Sequence, residues 1–139
     1  MIKVVVDTSV MVKWLNQIRE QNLEQANRIL AQALDGKVEL IAPELAKYEI
    51  GNVLLFSKKL STSEANFSLA TLYSLPITFV SESEDLAMET FSLAHKAGIT
   101  YYDASFLSLA KTFDATLVTE NLKHQGRSKD IKVKPLSEY

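Results

Sequence analysis

The sequence contains no cysteine. That excludes a disulfide framework, a thiolate zinc site and a cysteine nucleophile. Histidine is scarce, and His95 and His124 are too few and too far apart for most histidine metal sites. Four glycines and three prolines leave little material for long loops, and no internal repeat, low-complexity tract or interdomain linker is visible. No apolar run approaches the roughly 18 residues of a membrane span. The apolar stretch at 4–6 is cut by Asp7 before it can serve as an export signal, so a cytoplasmic setting is expected. Positive charge is not in excess: 15 Lys and Arg against 17 Asp and Glu leave a net charge of −2. A protein that coats nucleic acid would usually be strongly basic. What remains is ordinary, with 47% apolar and 23% charged residues over 139 positions. One globular domain spanning 1–139 is expected, large enough to bury a core without staples.

The hydrophobic pattern alternates between strand and helix. Residues 2–6 are a continuous β-branched run, as in a strand buried on both faces. A helix is expected over 8–15. Another follows Asn22, read as its N-cap with Gln25 three residues on, and stops at Asp35-Gly36. A second strand falls at 38–42, and Pro43 can open the next helix because its missing N–H is not needed there. That helix is expected over 44–60. Ser61 with Glu64 and Ser81 with Glu84 match the capping box and open two more, one running to about Tyr73 and one ending near Gly98. Strands at 77–80, 115–119 and 131–133 and a helix over 100–113 complete the order. Strands spaced by helices predict an α/β fold with a mainly parallel sheet of about five strands, covered on both faces. Ligands of such sheets sit beyond the carboxyl ends of the strands, where the strand order reverses.

Acids stand where burial would make them costly. Asp7 and Glu120 follow the first and fourth strands directly. Asp7 alone reads equally as a helix cap and as a ligand, and Glu120 alone reads first as structural. Glu49 shares a helical stripe with Leu45, Tyr48, Asn52, Val53 and Phe56, while Ala46, Ile50 and Leu54 fill the other side. That helix is apolar nearly all round and is expected to be largely buried, which would cost an uncompensated carboxylate several kcal/mol, roughly. The alternative is that Glu49 reaches solvent at the edge of the stripe. Asp103 repeats the pattern with Phe106, Leu107 and Ala110, or simply serves the dipole of its own helix. Carboxylates that converge repel one another and raise one another's pKa values. A hard divalent cation with oxygen ligands, Mg²⁺ or Mn²⁺, removes that penalty. Such an ion suits metal-assisted phosphodiester hydrolysis.

These residues resemble the PIN-domain ribonucleases, in particular the VapC-like toxins of bacterial toxin–antitoxin pairs. The matching segments are VVVDTSV at 4–10, YEIGNVL at 48–54, YYDASFLSLA at 101–110 and LVTEN at 117–121. The resemblance implies a three-layer PIN-like fold, acidic residues that bind Mg²⁺ or Mn²⁺, and endoribonuclease activity. It makes Asp7, Glu49 and Asp103 metal-binding catalytic acids and puts Glu120 at the fourth acid, where the family more often has Asp. Ser9, Asn52 and Thr119 match supporting polar positions, and Asn121 is a substitute polar group beside Glu120. The partners implied are an RNA substrate, a small antitoxin whose C-terminal segment occupies the active-site groove, and a second copy of the chain.

Charge is unevenly distributed. Residues 121–134 carry Lys123, Arg127, Lys129, Lys132 and Lys134 against Asp130 alone. A basic segment beside the acid edge suits phosphate attraction, with help expected from Lys13 and from Lys58-Lys59, although a solvated tail would look the same. Tyr101 and Tyr102 read as base-stacking groups or as core, and Trp14 as packing or interface. Two alternatives stay open: a PIN-like module with little or no activity that binds RNA or protein, and a housekeeping nuclease. A haloacid-dehalogenase-like phosphatase needs a second Asp two residues after Asp7, where this chain has Ser9.

Overall fold

The computed structural model describes residues 1–122 and 130–139. The β-branched run forms strand β1 (Ile2–Val6), whose last three residues are fully buried. A short helix α1 (Thr8–Met11) and a 3₁₀ turn (Val12–Trp14) follow. Next come α2 (Leu23–Leu34), β2 (Val38–Pro43), α3 (Leu45–Asn52) and a π-helical turn (Val53–Ser57). The chain continues through α4 (Thr62–Ser74), β3 (Ile77–Val80), α5 (Glu84–Ala97), α6 (Tyr101–Thr112), β4 (Thr116–Thr119) and β5 (Val133–Pro135).

The five strands form one parallel sheet in the order β3-β2-β1-β4-β5. The chain builds outward from β1 through β2 to β3, then returns to add β4 on the other side of β1. The switch point therefore lies between β1 and β4, and Asp7 stands there: its N–H donates to the Val118 carbonyl at 3.1 Å. The core of valines, isoleucines and leucines fills both faces of the sheet, and α6 packs across β1, β2 and β4. Its residues from Ala104 to Ala110 are all buried.

Several local expectations change. The helix expected over 44–60 is shorter and turns π-helical after Asn52, and Pro43 closes β2 instead of opening a helix. Only Ala46, Ile50 and Leu54 of that segment are fully buried, whereas Tyr48 is 74% and Phe56 67% exposed. The expected inward stripe thus faces outward at these two residues. Asn22 precedes α2 but makes no capping hydrogen bond, because its left-handed backbone turns the amide elsewhere. The Ser61–Glu64 capping box is present in both directions. For α5 the cap is Ser83, which accepts from Leu86 N–H, not Ser81.

Candidate metal centre at the carboxyl edge of the sheet

Asp7 is buried at the end of β1 and caps α1. Its Oδ2 accepts from the Ser9 hydroxyl at 2.6 Å, the Ser9 N–H at 3.2 Å and the Thr119 hydroxyl at 3.1 Å. Convergence of these donors on one oxygen fixes the plane of the carboxylate. The bonds also explain why β1 ends in Asp-Thr-Ser: short polar side chains satisfy both the helix start and the acid.

Glu49 comes from the middle of α3. The Thr8 hydroxyl donates to its Oε1 at 2.7 Å, joining α1 to α3. Burial pushes the Glu49 carboxyl above its ordinary pKa. The Thr8 hydrogen bond opposes that shift, while the charges of Asp7 and Asp103 add to it. The three acids thus lie within electrostatic reach of one another, although they come from β1, α3 and α6. Asp103 sits in the first turn of α6, where its N–H donates to the cap residue Thr100 at 3.0 Å. The Asn121 side-chain amide donates to Asp103 Oδ1 at 3.3 Å, and the Asn121 N–H donates to the Thr119 hydroxyl at 2.8 Å.

The expected residues separate into groups. Ser9, Thr119 and Asn121 are tied to the acids by the bonds above. Asn52 is exposed at the end of α3, and no hydrogen bond among the described residues joins it to them. Lys13 does not present its charge to RNA: it is 1% exposed, with Nζ 2.8 Å from both Glu20 and Glu120. Burial alone would lower its pKa, but the bonds to Glu120 and Glu20 hold it above the ordinary value. Lys123, Arg127 and Lys129 lie outside the described residues. Tyr101 donates to Glu82 at 2.5 Å, a bond that pushes its phenol up to about 12. Tyr102 is largely exposed beside it, on the wall of a cavity of about 170 Å³ that Pro43, Leu45, Val80 and Leu86 also line. Trp14 packs, donating to the Ala26 carbonyl at 2.9 Å. Lys58, expected to help with phosphate, instead has its side chain buried against Glu20 at 2.6 Å. Thr8, Glu20 and Asn22 contribute contacts that sequence reasoning missed. Thr8 alone had a local signal, its place directly after Asp7.

Among the described residues no three acidic or imidazole groups already converge as a closed set of metal ligands. The donor chemistry nevertheless fits a hard divalent ion. Mg²⁺ keeps several waters and needs only one or two protein carboxylates, with substrate phosphate completing its shell. The mutual repulsion felt at Glu49 is what such an ion would relieve.

Comparison with known proteins bears on the family and the fold. The PIN domain family model matches residues 4–127. Ribonuclease VapC3 of Pyrobaculum aerophilum is 32% identical over 121 residues, covering 84% of this chain and 88% of the relative. The crystal structure of PAE2754 from the same organism superposes with a TM-score of 0.70 at 22% identity, covering 99% of this chain and 91% of that one. VapBC2 from Rickettsia felis, bound to a DNA fragment from its promoter, gives 0.71 at 17% identity, with coverage of 96% and 98%. Both structural matches speak to the fold.

Proposed function

From the premise that this chain belongs to the PIN domain family, we propose that it is a divalent-metal-dependent endoribonuclease, the toxin of a toxin–antitoxin pair acting in the cytoplasm. One observation carries the reading. Glu49, whose carboxyl is raised first by burial and then by the charges of Asp7 and Asp103, stands within electrostatic reach of both, so that acids from three separate elements gather at the carboxyl edge of the sheet. Acids grouped in this way at a ligand edge are destabilising until a cation joins them.

Asp7 and Asp103 are the proposed metal ligands, with Glu49 as the third acid, and Mg²⁺ or Mn²⁺ as the ion. When bound, the ion supplies an activated water and offsets the charge that develops on the phosphoryl group. The chain does the positioning. Ser9 and Thr119 fix Asp7, Thr8 fixes Glu49, and Asn121 holds Asp103. Phosphates on either side of the scissile bond are assigned to the basic segment with Lys123, Arg127 and Lys129. The antitoxin and a second copy of the chain are the proposed protein partners. Exposed Tyr48, Leu55 and Phe56, on the helical segment that carries Glu49, support a partner surface beside the site.

The test is cleavage of an RNA oligonucleotide by the purified chain with Mn²⁺, before and after chelation. Asp7→Asn and Asp103→Asn should abolish cleavage while the circular dichroism spectrum stays unchanged. Wild-type rates in both variants would remove the site assignment. Growth arrest on expression, relieved by the product of a neighbouring gene, would separate a toxin from a housekeeping nuclease. A noncatalytic module is the second reading, because Glu120 at the fourth acid position is engaged by Lys13. Such a module should show little Mn²⁺ binding at this edge.

A further inference from the structure

Glu120 follows β4 directly, yet its carboxylate is held from outside the acid group. Its Oε1 lies 2.8 Å from Lys13 Nζ, and its Oε2 accepts from the Asn22 amide at 2.8 Å. Lys13 is buried and also meets Glu20 at 2.8 Å, and Lys58 meets the other oxygen of Glu20 at 2.6 Å. Lys58 donates in addition to the Ile18 carbonyl. The result is an alternating row, Lys58–Glu20–Lys13–Glu120, closed by Asn22. The 3₁₀ turn after α1 supplies Lys13, and the π-helical turn after α3 leads into Lys58. The two segments that carry Asp7 and Glu49 therefore also carry the two ammonium groups of the row.

The backbone of Glu120 and its neighbour reach back to the acids. Glu120 N–H donates to the Ser9 hydroxyl at 3.2 Å, and that hydroxyl donates to Asp7. Asn121 donates to Asp103. Moving the Glu120 carboxylate onto a metal would leave Lys13 and Lys58 to share Glu20, one positive charge in excess beside a buried lysine. The methylene that distinguishes Glu from Asp is what lets the side chain reach outward to Lys13 and Asn22.

We propose that Glu120 is a positioning residue and not a metal ligand: Lys13 and Asn22 anchor its carboxylate, and the anchored residue sets Ser9 on Asp7 and Asn121 on Asp103. The inference rests on the metal-nuclease reading above and deepens it.

The test measures kcat, KM and Mn²⁺ half-saturation for the full chain and for Glu120→Gln, Glu120→Asp and Asn22→Gly. Gln keeps the length and an acceptor for Lys13, Asp loses the reach, and Gly keeps the left-handed backbone while removing the amide. Expected is a fall in kcat of about threefold for Asn22→Gly and about tenfold for Glu120→Gln, with Glu120→Asp losing more. KM and Mn²⁺ half-saturation should stay within about threefold of wild type. The reverse order, with Asp retaining more activity than Gln and Gln weakening Mn²⁺ as Asp7→Asn does, would make Glu120 a ligand and overturn the proposal. If the wild type neither cleaves RNA nor binds Mn²⁺, the nuclease reading fails separately. The anchor is then read from ¹H–¹⁵N spectra. Displaced Ser9 and Asn121 amide signals in Glu120→Asp would support it, and unmoved signals would overturn it.

Discussion

Two glutamates of this chain meet burial in opposite ways. Both are partly buried, and burial pushes both carboxyls upward. Glu20 nevertheless ends below its ordinary value, because Lys13 and Lys58 each bond to it. Glu49 ends above, because the Thr8 hydroxyl does not outweigh burial and the charges of Asp7 and Asp103. Among the described residues no lysine, arginine or histidine pairs with Glu49. Where a carboxylate braces the fold, the chain has placed a buried ammonium against it. At Glu49 no such ammonium stands among the described residues, and under the proposed function an ion supplies the compensating charge. A site that is destabilising without its cation is a recurrent mark of function.

The largest effect expected is on catalysis. Asp7→Asn keeps the size of the side chain and removes a ligand charge, which should slow RNA cleavage by roughly 10³-fold if several kcal/mol of transition-state stabilisation depend on the ion. Initial rates on a labelled oligonucleotide at saturating Mn²⁺ measure this. A loss below tenfold would mean that the grouped acids are not the catalytic ones, and the contrast with Glu20 would lose its functional meaning.

Stability sharpens the comparison, because one substitution should act with opposite signs at the two positions. Glu20→Gln leaves Lys13 and Lys58 facing each other with their shared anion gone. Breaking a buried pair costs about 3 kcal/mol or more, or roughly 10 °C in Tm for a chain of this size. Glu49→Gln removes repulsion from Asp7 and Asp103 and keeps an acceptor for Thr8. It should raise the Tm of the metal-free protein by about 2–4 °C, in the range of relieved functional strain, while cleavage falls. Calorimetry in EDTA reads both. Destabilisation by Glu49→Gln would show that this carboxylate braces the fold as Glu20 does.

The legible parts of the molecule were those fixed by neighbours in sequence. The continuous run of β1, the reciprocal Ser61–Glu64 cap and the Gly98 stop of α5, with its left-handed backbone, need only local information. The order of acids along strand ends and helices grouped Asp7, Glu49, Asp103 and Glu120 once an α/β sheet was assumed; the structure brings the first three within electrostatic reach and turns the Glu120 carboxylate to Lys13 and Asn22 instead. Choices made by tertiary contact were not legible. In the segment 44–60 both faces are apolar, so periodicity could not decide that Ala46, Ile50 and Leu54 turn inward and Tyr48 outward. Ser81 and Ser83 both suit a cap, and the structure uses Ser83, which puts Glu84 and Asp85 in the first turn near the positive end of the helix dipole. Lys13 looked like a surface cation because a lysine is buried only when distant acids meet it. Glu20 lies across a loop, and Glu120 lies at the far end of the chain.

The smallest effect is a difference in pH dependence. The lowered carboxyl of Glu20 contributes stability that is present above its ordinary value of 4.5 and lost as pH falls through the folded value below it. Glu49 has the opposite sign. Between 4.5 and its raised folded value the native state holds the proton more often than the unfolded chain, so stability declines as pH rises through that window. Each slope is bounded by one proton, about 1.4 kcal/mol per pH unit. Tm measured from pH 3 to 7 in EDTA should therefore lose part of its acid-side fall in Glu20→Gln, and part of its decline above 4.5 in Glu49→Gln. Adding Mn²⁺ to the wild type should flatten the second limb alone, because the ion offsets the charge at Glu49 and leaves the Lys13 row untouched. Curves that move together in both variants would mean the two glutamates share one electrostatic environment, and the division between braced and grouped acids would fall.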